Sequence, residues 1–101
     1  MDPGSSADIA KPVTLMLAGS CPVRSSASLR LALRNGGLVH VAVYDVSGRR
    51  VRTLLDGWVP AGVTTLAWDV REEHGAGASG IYFARATGAG GRAAVRIPVL
   101  R

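Results

Sequence analysis

Apolar and polar residues alternate with a period of two along most of this chain. The pattern is clearest in three sets: Leu29, Leu31 and Leu33; Val39, Val41 and Val43; and Val95, Ile97 and Val99. In an extended chain, side chains two residues apart lie on the same face, so each set predicts a strand with one buried face. The 3.6-residue period of an amphipathic helix is found nowhere in the sequence. The pattern therefore predicts an all-β protein.

Turn-forming residues separate these segments at short, regular intervals. The turns are predicted at Asn35-Gly36-Gly37, Asp45-Val46-Ser47-Gly48 and Gly88–Gly91. The side chain of Asp45 can accept hydrogen bonds from the backbone that follows it. We expect an immunoglobulin-like antiparallel β-sandwich of about seven strands over residues 13–101, preceded by a flexible lead or linker over residues 1–12.

Individual strands carry further expectations. Pro98 has no N–H to donate, which predicts that the last strand lies at a sheet edge. The strand that begins at Arg49 is expected to end near Leu54, followed by a loop that carries Trp58. The side chains of Trp68 and Tyr82 fall on the apolar faces of their strands and are expected in the core. Residues 70–80 are expected to be irregular.

Composition is consistent with one folded domain and excludes several classes. The chain has 101 residues, of which 48% are hydrophobic and 19% charged, so it can bury enough apolar surface to fold. No apolar stretch is long enough to span a bilayer, and residues 1–12 lack the apolar block of a secretory signal. Cys21 is the single cysteine, so no disulfide can form within the chain.

The net charge of +5 comes almost wholly from arginine. Such a charge is compatible with binding of nucleic acid or of an anionic surface. In the sequence, however, the arginines are dispersed, and only Arg49, Arg50 and Arg52 cluster. Basic residues without interleaved aromatic residues usually form a solvated face. We therefore expect no nucleic-acid partner.

Candidate chemistry is sparse. The acidic cluster of Asp69, Glu72 and Glu73 with His74 lacks the spacing of a calcium loop, and Asp69 is better suited to cap its own loop. Catalysis by Ser or Cys needs an adjacent, oriented base, and neither His40 nor His74 has a nearby partner in the sequence. Trp58 could contact a sugar, although one ring rarely makes such a site. We expect no catalytic residues, no metal and no cofactor, and hence no enzyme.

Several motifs follow one another in a specific order. They are Pro22-Val23-Arg24-Ser25-Ser26, the leucine strand, Val43–Val51, Pro60-Ala61-Gly62, Trp68-Asp69 and Ser79-Gly80-Ile81-Tyr82-Phe83. Over residues 15–101 the chain resembles the C-terminal sorting domains of type IX secretion cargo and the closely similar immunoglobulin-like domain of the flagellar hook-cap protein.

The resemblance implies a non-catalytic sorting or anchoring module of a secreted bacterial protein. Such a module is carried behind an N-terminal passenger domain, is recognised by protein export machinery at the outer membrane, and reaches the cell surface or the medium through the periplasm, with the signal peptide outside this chain. The recognition and fold residues would be Pro22, Asp45, Gly48, Trp68, Asp69, Gly80, Tyr82 and Arg101.

The recognition surface itself is expected on the strand Arg92–Arg101 and on a neighbouring edge formed by Gly80-Ile81-Tyr82. Three alternatives remain open at the level of sequence. The domain could be an accessory module that binds carbohydrate or another surface, a structural spacer of an extracellular protein, or an assembly domain like that of the hook cap.

Overall fold

The computed structural model of the chain describes residues 12–19, 22–70 and 79–100. The seven strands are β1 (Val13–Ala18), β2 (Ser26–Leu33), β3 (Gly37–Asp45), β4 (Arg50–Val59), β5 (Gly62–Asp69), β6 (Gly80–Gly88) and β7 (Gly91–Val99). They form a three-stranded sheet in the order β1-β2-β5 and a four-stranded sheet in the order β4-β3-β6-β7. Neighbouring strands within each sheet are antiparallel. The protein is an immunoglobulin-like β-sandwich, as its alternation predicts.

The core lies between the two sheets and is formed by the predicted inward faces. The leucines of β2 and the valines of β3 are all buried, and Ile97 and Val99 of β7 join them. Trp68, at the end of β5, is fully buried and contacts Tyr82 of β6 edge to face, with ring centroids 5.2 Å apart. Because β5 and β6 belong to different sheets, this aromatic pair joins the two layers.

Strand β4 differs from the sequence-based expectation. Residues 50–59 form one strand that pairs with β3, so Trp58 lies in a strand and the loop predicted around it is wrong. Shifts in register near Ala42 and Tyr44 interrupt the alternation in β4, which explains why its pattern indicated a shorter strand. Trp58 lies opposite Leu38, and its side chain is 65% exposed.

The predicted edge position is confirmed for β7 and is wrong for Tyr82 in the segment Gly80-Ile81-Tyr82. Strand β7 is an edge strand, as Pro98 indicates. Strand β6 is an interior strand with β3 on one side and β7 on the other, so Tyr82 does not lie at a sheet edge. Tyr82 pairs with both Asp45 and Ile97, whereas Gly80 and Ile81 extend beyond the end of β3.

Candidate functional site

Most of the sequence motifs meet at one end of the sandwich, which we call the motif end. Strands β3, β5 and β7 end here, and strands β2, β4 and β6 begin here. The register places Asp45 beside Tyr82, Gly80 beside Val99 and Asp69 beside Ser26. Segments that are distant in sequence therefore form one surface. Arg101, a predicted recognition residue, lies outside the described residues. The single cysteine, Cys21, also lies outside them.

The turn between β3 and β4 is organised by the carboxylate of Asp45. Its Oδ1 accepts hydrogen bonds from the backbone N–H of Ser47 and of Arg49, both at 3.0 Å, and from the Ser47 hydroxyl at 2.6 Å. Its Oδ2 lies 3.3 Å from Nε of Arg49. The Ser47 hydroxyl, followed by the two backbone donors and the Arg49 charge, lowers the pKa of Asp45. Gly48 takes a positive φ of 89°, which closes the turn.

Pro22 and Val23 lie against the end of β7. The N–H of Val23 donates to the carbonyl of Pro98 at 2.8 Å, and the N–H of Leu100 donates to the carbonyl of Val23 at 2.9 Å. Val23 is buried while Pro22 is exposed. The segment before β2 therefore covers the final residues of the β7 edge, and the earlier residues of β7 remain uncovered by it.

The described histidine and acidic side chains do not gather at one point. His40 projects from the middle of β3, opposite Asp56 of β4 and Thr87 of β6. Within residues 12–19, 22–70 and 79–100, no three His, Cys, Asp or Glu side chains come close enough to hold a metal ion. The acidic cluster of Glu72, Glu73 and His74 lies outside the described residues. In the described part of the chain no helix has the length and apolar character needed to cross a membrane.

Three buried valines were not expected from the sequence. Val23, Val59 and Val70 each follow or precede turn-forming residues, so no alternating pattern identifies them. Val70 directly follows Trp68-Asp69, and its N–H donates to the carbonyl of Ser25 at 3.0 Å. Val23 and Val70 lie at the motif end, whereas Val59, the last residue of β4, lies opposite Gly37 at the other end of the sandwich. Their position next to Pro22, Pro60 or Asp69 is the one signal in the sequence that could have identified them.

These observations define an immunoglobulin-like domain whose motif residues gather at one end. No family model matches the chain, and no curated protein does. Among solved structures, the chain is similar to a segment of dimeric latent PorU from Porphyromonas gingivalis, with 25% identity and a TM-score of 0.64 over 85% of this chain. It spans 9% of the PorU chain. The CARDB domain of PF1109 from Pyrococcus furiosus is 15% identical, with a TM-score of 0.50 over 88% of this chain and 94% of that domain, and it supports the fold alone.

Proposed function

We propose that this chain is a non-catalytic sorting domain of a secreted bacterial protein, recognised in its folded form by type IX export machinery. The observation that carries the proposal is the similarity to PorU, which extends over 85% of the chain and supports an immunoglobulin-like fold related to type IX secretion. The ordered motifs at the motif end support it further. On this proposal the domain travels with a passenger and reaches the cell surface or the medium.

The first part of β7 is the segment best suited to recognition. Backbone groups of successive residues in a strand point to opposite sides. The C=O of Pro98 and the N–H of Leu100 form hydrogen bonds with Val23, on the side of β7 that faces away from β6. The even-numbered residues of β7 therefore direct their N–H and C=O groups away from β6. Ala94 and Arg96 therefore present outward backbone groups with which no strand of the described chain pairs.

A groove beside this edge leaves room for a partner. It runs between β1 and β7, has a volume of about 580 Å³, and is lined by residues 12–16 and 92–94. Strand β1 is the edge of the other sheet, so the groove lies where the sandwich is open. A partner strand that enters it could add to β7 through main-chain hydrogen bonds, a common mode of peptide recognition.

A proline at position 94 tests this mode. Ala94→Pro removes an outward N–H that the pairing with β6 does not use, and the strand already accepts proline at position 98 on the same side. We expect export of a reporter fused to the variant domain to fall at least roughly tenfold in a host with a type IX system, because a blocked edge cannot accept a strand. Secreted reporter is measured against total reporter.

Ala94→Thr is the matched control, because threonine is similar in size to proline, favours strands and keeps the backbone N–H. Normal export of Ala94→Thr with loss for Ala94→Pro supports strand addition, provided both variants unfold at the same temperature as the parent. Equal export of both variants contradicts strand addition. Failure of the unmodified domain to export the reporter contradicts the sorting function itself.

A further inference from the structure

A row of arginine and aromatic side chains crosses the outer face of the four-stranded sheet. In the observed register, Arg50 of β4 lies opposite Tyr44 of β3, Tyr44 opposite Phe83 of β6, and Phe83 opposite Arg96 of β7. With strands about 4.8 Å apart, this row spans about 14 Å. We call it the arginine row. The sequence did not show it, because its members come from four separate strands.

Further arginines extend the row. Arg85 lies two residues from Phe83 along β6, and its guanidinium carbon is 5.0 Å from the centre of the Tyr44 ring, a cation–π contact. Arg92 lies farther along β7 on the same face. Within the described part of the chain, Arg50, Arg85, Arg92 and Arg96 make no ion pair with a carboxylate. Their charges are therefore available to an anion from outside the protein.

The two faces of the sandwich differ in charge. On the outer face of the three-stranded sheet, the strands carry one arginine, Arg30, which lies opposite Met16 and Thr65, and one carboxylate, Asp69. On the four-stranded face, the carboxylate of Asp56 lies opposite His40, four residues along β3 from Tyr44 or about 13 Å away. The positive charge is thus concentrated on the outer face of the four-stranded sheet, which favours an extended anionic ligand.

We propose that the arginine row binds an acidic polysaccharide, a sugar polymer that carries carboxylates. Guanidinium groups form paired hydrogen bonds with carboxylates, and several at fixed spacing can engage successive units of a polymer. Single-stranded nucleic acid fits less well, because it stacks bases on exposed rings, whereas Tyr44 is covered by Arg85 and Phe83 is half-buried. The choice of a sugar polymer among anionic ligands rests on the proposed function, because a domain that reaches the cell surface meets the polysaccharides that coat it.

Binding of polygalacturonate to the purified chain tests this proposal, with uncharged dextran and a thymidine oligonucleotide as competing ligands. We expect polygalacturonate to bind, dextran not to bind, and affinity to fall as salt is raised. The double variant Arg85→Ala/Arg96→Ala should bind at least roughly tenfold more weakly. Arg30→Ala is the matched control: it removes the same type of charge from the opposite face and should change affinity by less than about twofold.

Each other outcome overturns the proposal. Equal losses of affinity for the Arg30→Ala and the Arg85→Ala/Arg96→Ala variants would show that polygalacturonate is attracted to net charge alone. Tighter binding of the oligonucleotide than of polygalacturonate would assign the face to nucleic acid. Absence of binding to polygalacturonate would contradict the proposed polysaccharide site. Circular dichroism of each variant establishes that it is folded. Because this assay involves no export, a negative result would not bear on the sorting function. Failure of export would likewise not bear on the binding of polysaccharide.

Discussion

At the scale of single residues, the turn between β3 and β4 shows how much a local motif can specify. The sequence Asp45-Val46-Ser47-Gly48 predicted both the turn and the acceptor role of Asp45, because the geometry depends on neighbours within four residues. The structure confirms both. The ion pair with Arg49 adds little to stability, since the Arg49 side chain is 71% exposed and the pair is screened by solvent.

The lowered pKa of Asp45 makes the stability of the turn depend on pH. A carboxyl group whose pKa is lower in the folded state stabilises the fold above its unfolded pKa, here near 3.8, and this contribution is lost as the pH falls through the folded value. We expect Asp45→Asn, which keeps an acceptor oxygen but has no charge, to lower the melting temperature at pH 7 and to have progressively less effect as the pH falls below 3.8. Thermal unfolding of both proteins across this range measures the difference. A constant difference at every pH would contradict the assignment.

Among the glycines of the described residues, Gly88 is the one at which an added methyl group would come closest to the neighbouring backbone. Its φ is 120°, and a Cβ placed there would overlap the carbonyl oxygen of Leu38 on the neighbouring strand. We expect Gly88→Ala to destabilise the protein by about 2 kcal/mol or more, because backbone strain and the clash add together. Gly57→Ala is the control: its Cβ would meet nothing within 4 Å, so its effect should stay within about 0.5 kcal/mol. Urea unfolding measures the change in the free energy of unfolding for both variants. Equal changes for Gly88→Ala and Gly57→Ala would contradict the prediction.

At the scale of elements, strands with strict alternation were predicted well, and strands with irregular pairing were not. Strands β2 and β3 show their buried faces directly in sequence, because each pairs in the interior of a sheet and its alternate leucines or valines face the core. Strand β4 lies at an edge, and its register shifts remove the periodicity on which the prediction depends. Which strands are edges was visible in sequence only for β7, through Pro98.

At the scale of the whole molecule, the pairing of strands across the sandwich cannot be deduced from local patterns. Alternation shows which residues face inward, but the order β4-β3-β6-β7 determines which residues become neighbours. Arg50 and Arg96 are 46 positions apart in sequence and lie in one row only because of that order. The same order gathers the motif residues at one end, although each motif looked independent. Sites formed across strands therefore require the structure.

The contact between Trp68 and Tyr82 offers a measure of how strongly the two sheets depend on each other. Both rings are buried, and each belongs to a different sheet, so their interaction forms only when the layers are packed. We expect Trp68→Leu to reduce the free energy of unfolding by about 2–4 kcal/mol, whereas Trp58→Leu, on the exposed face, should cost less than about 1 kcal/mol. A double-mutant cycle of Trp68→Leu and Tyr82→Leu, measured by urea unfolding, should give a coupling of about 0.5–1.5 kcal/mol. A coupling near zero would mean that the sheets are held together by the aliphatic core alone.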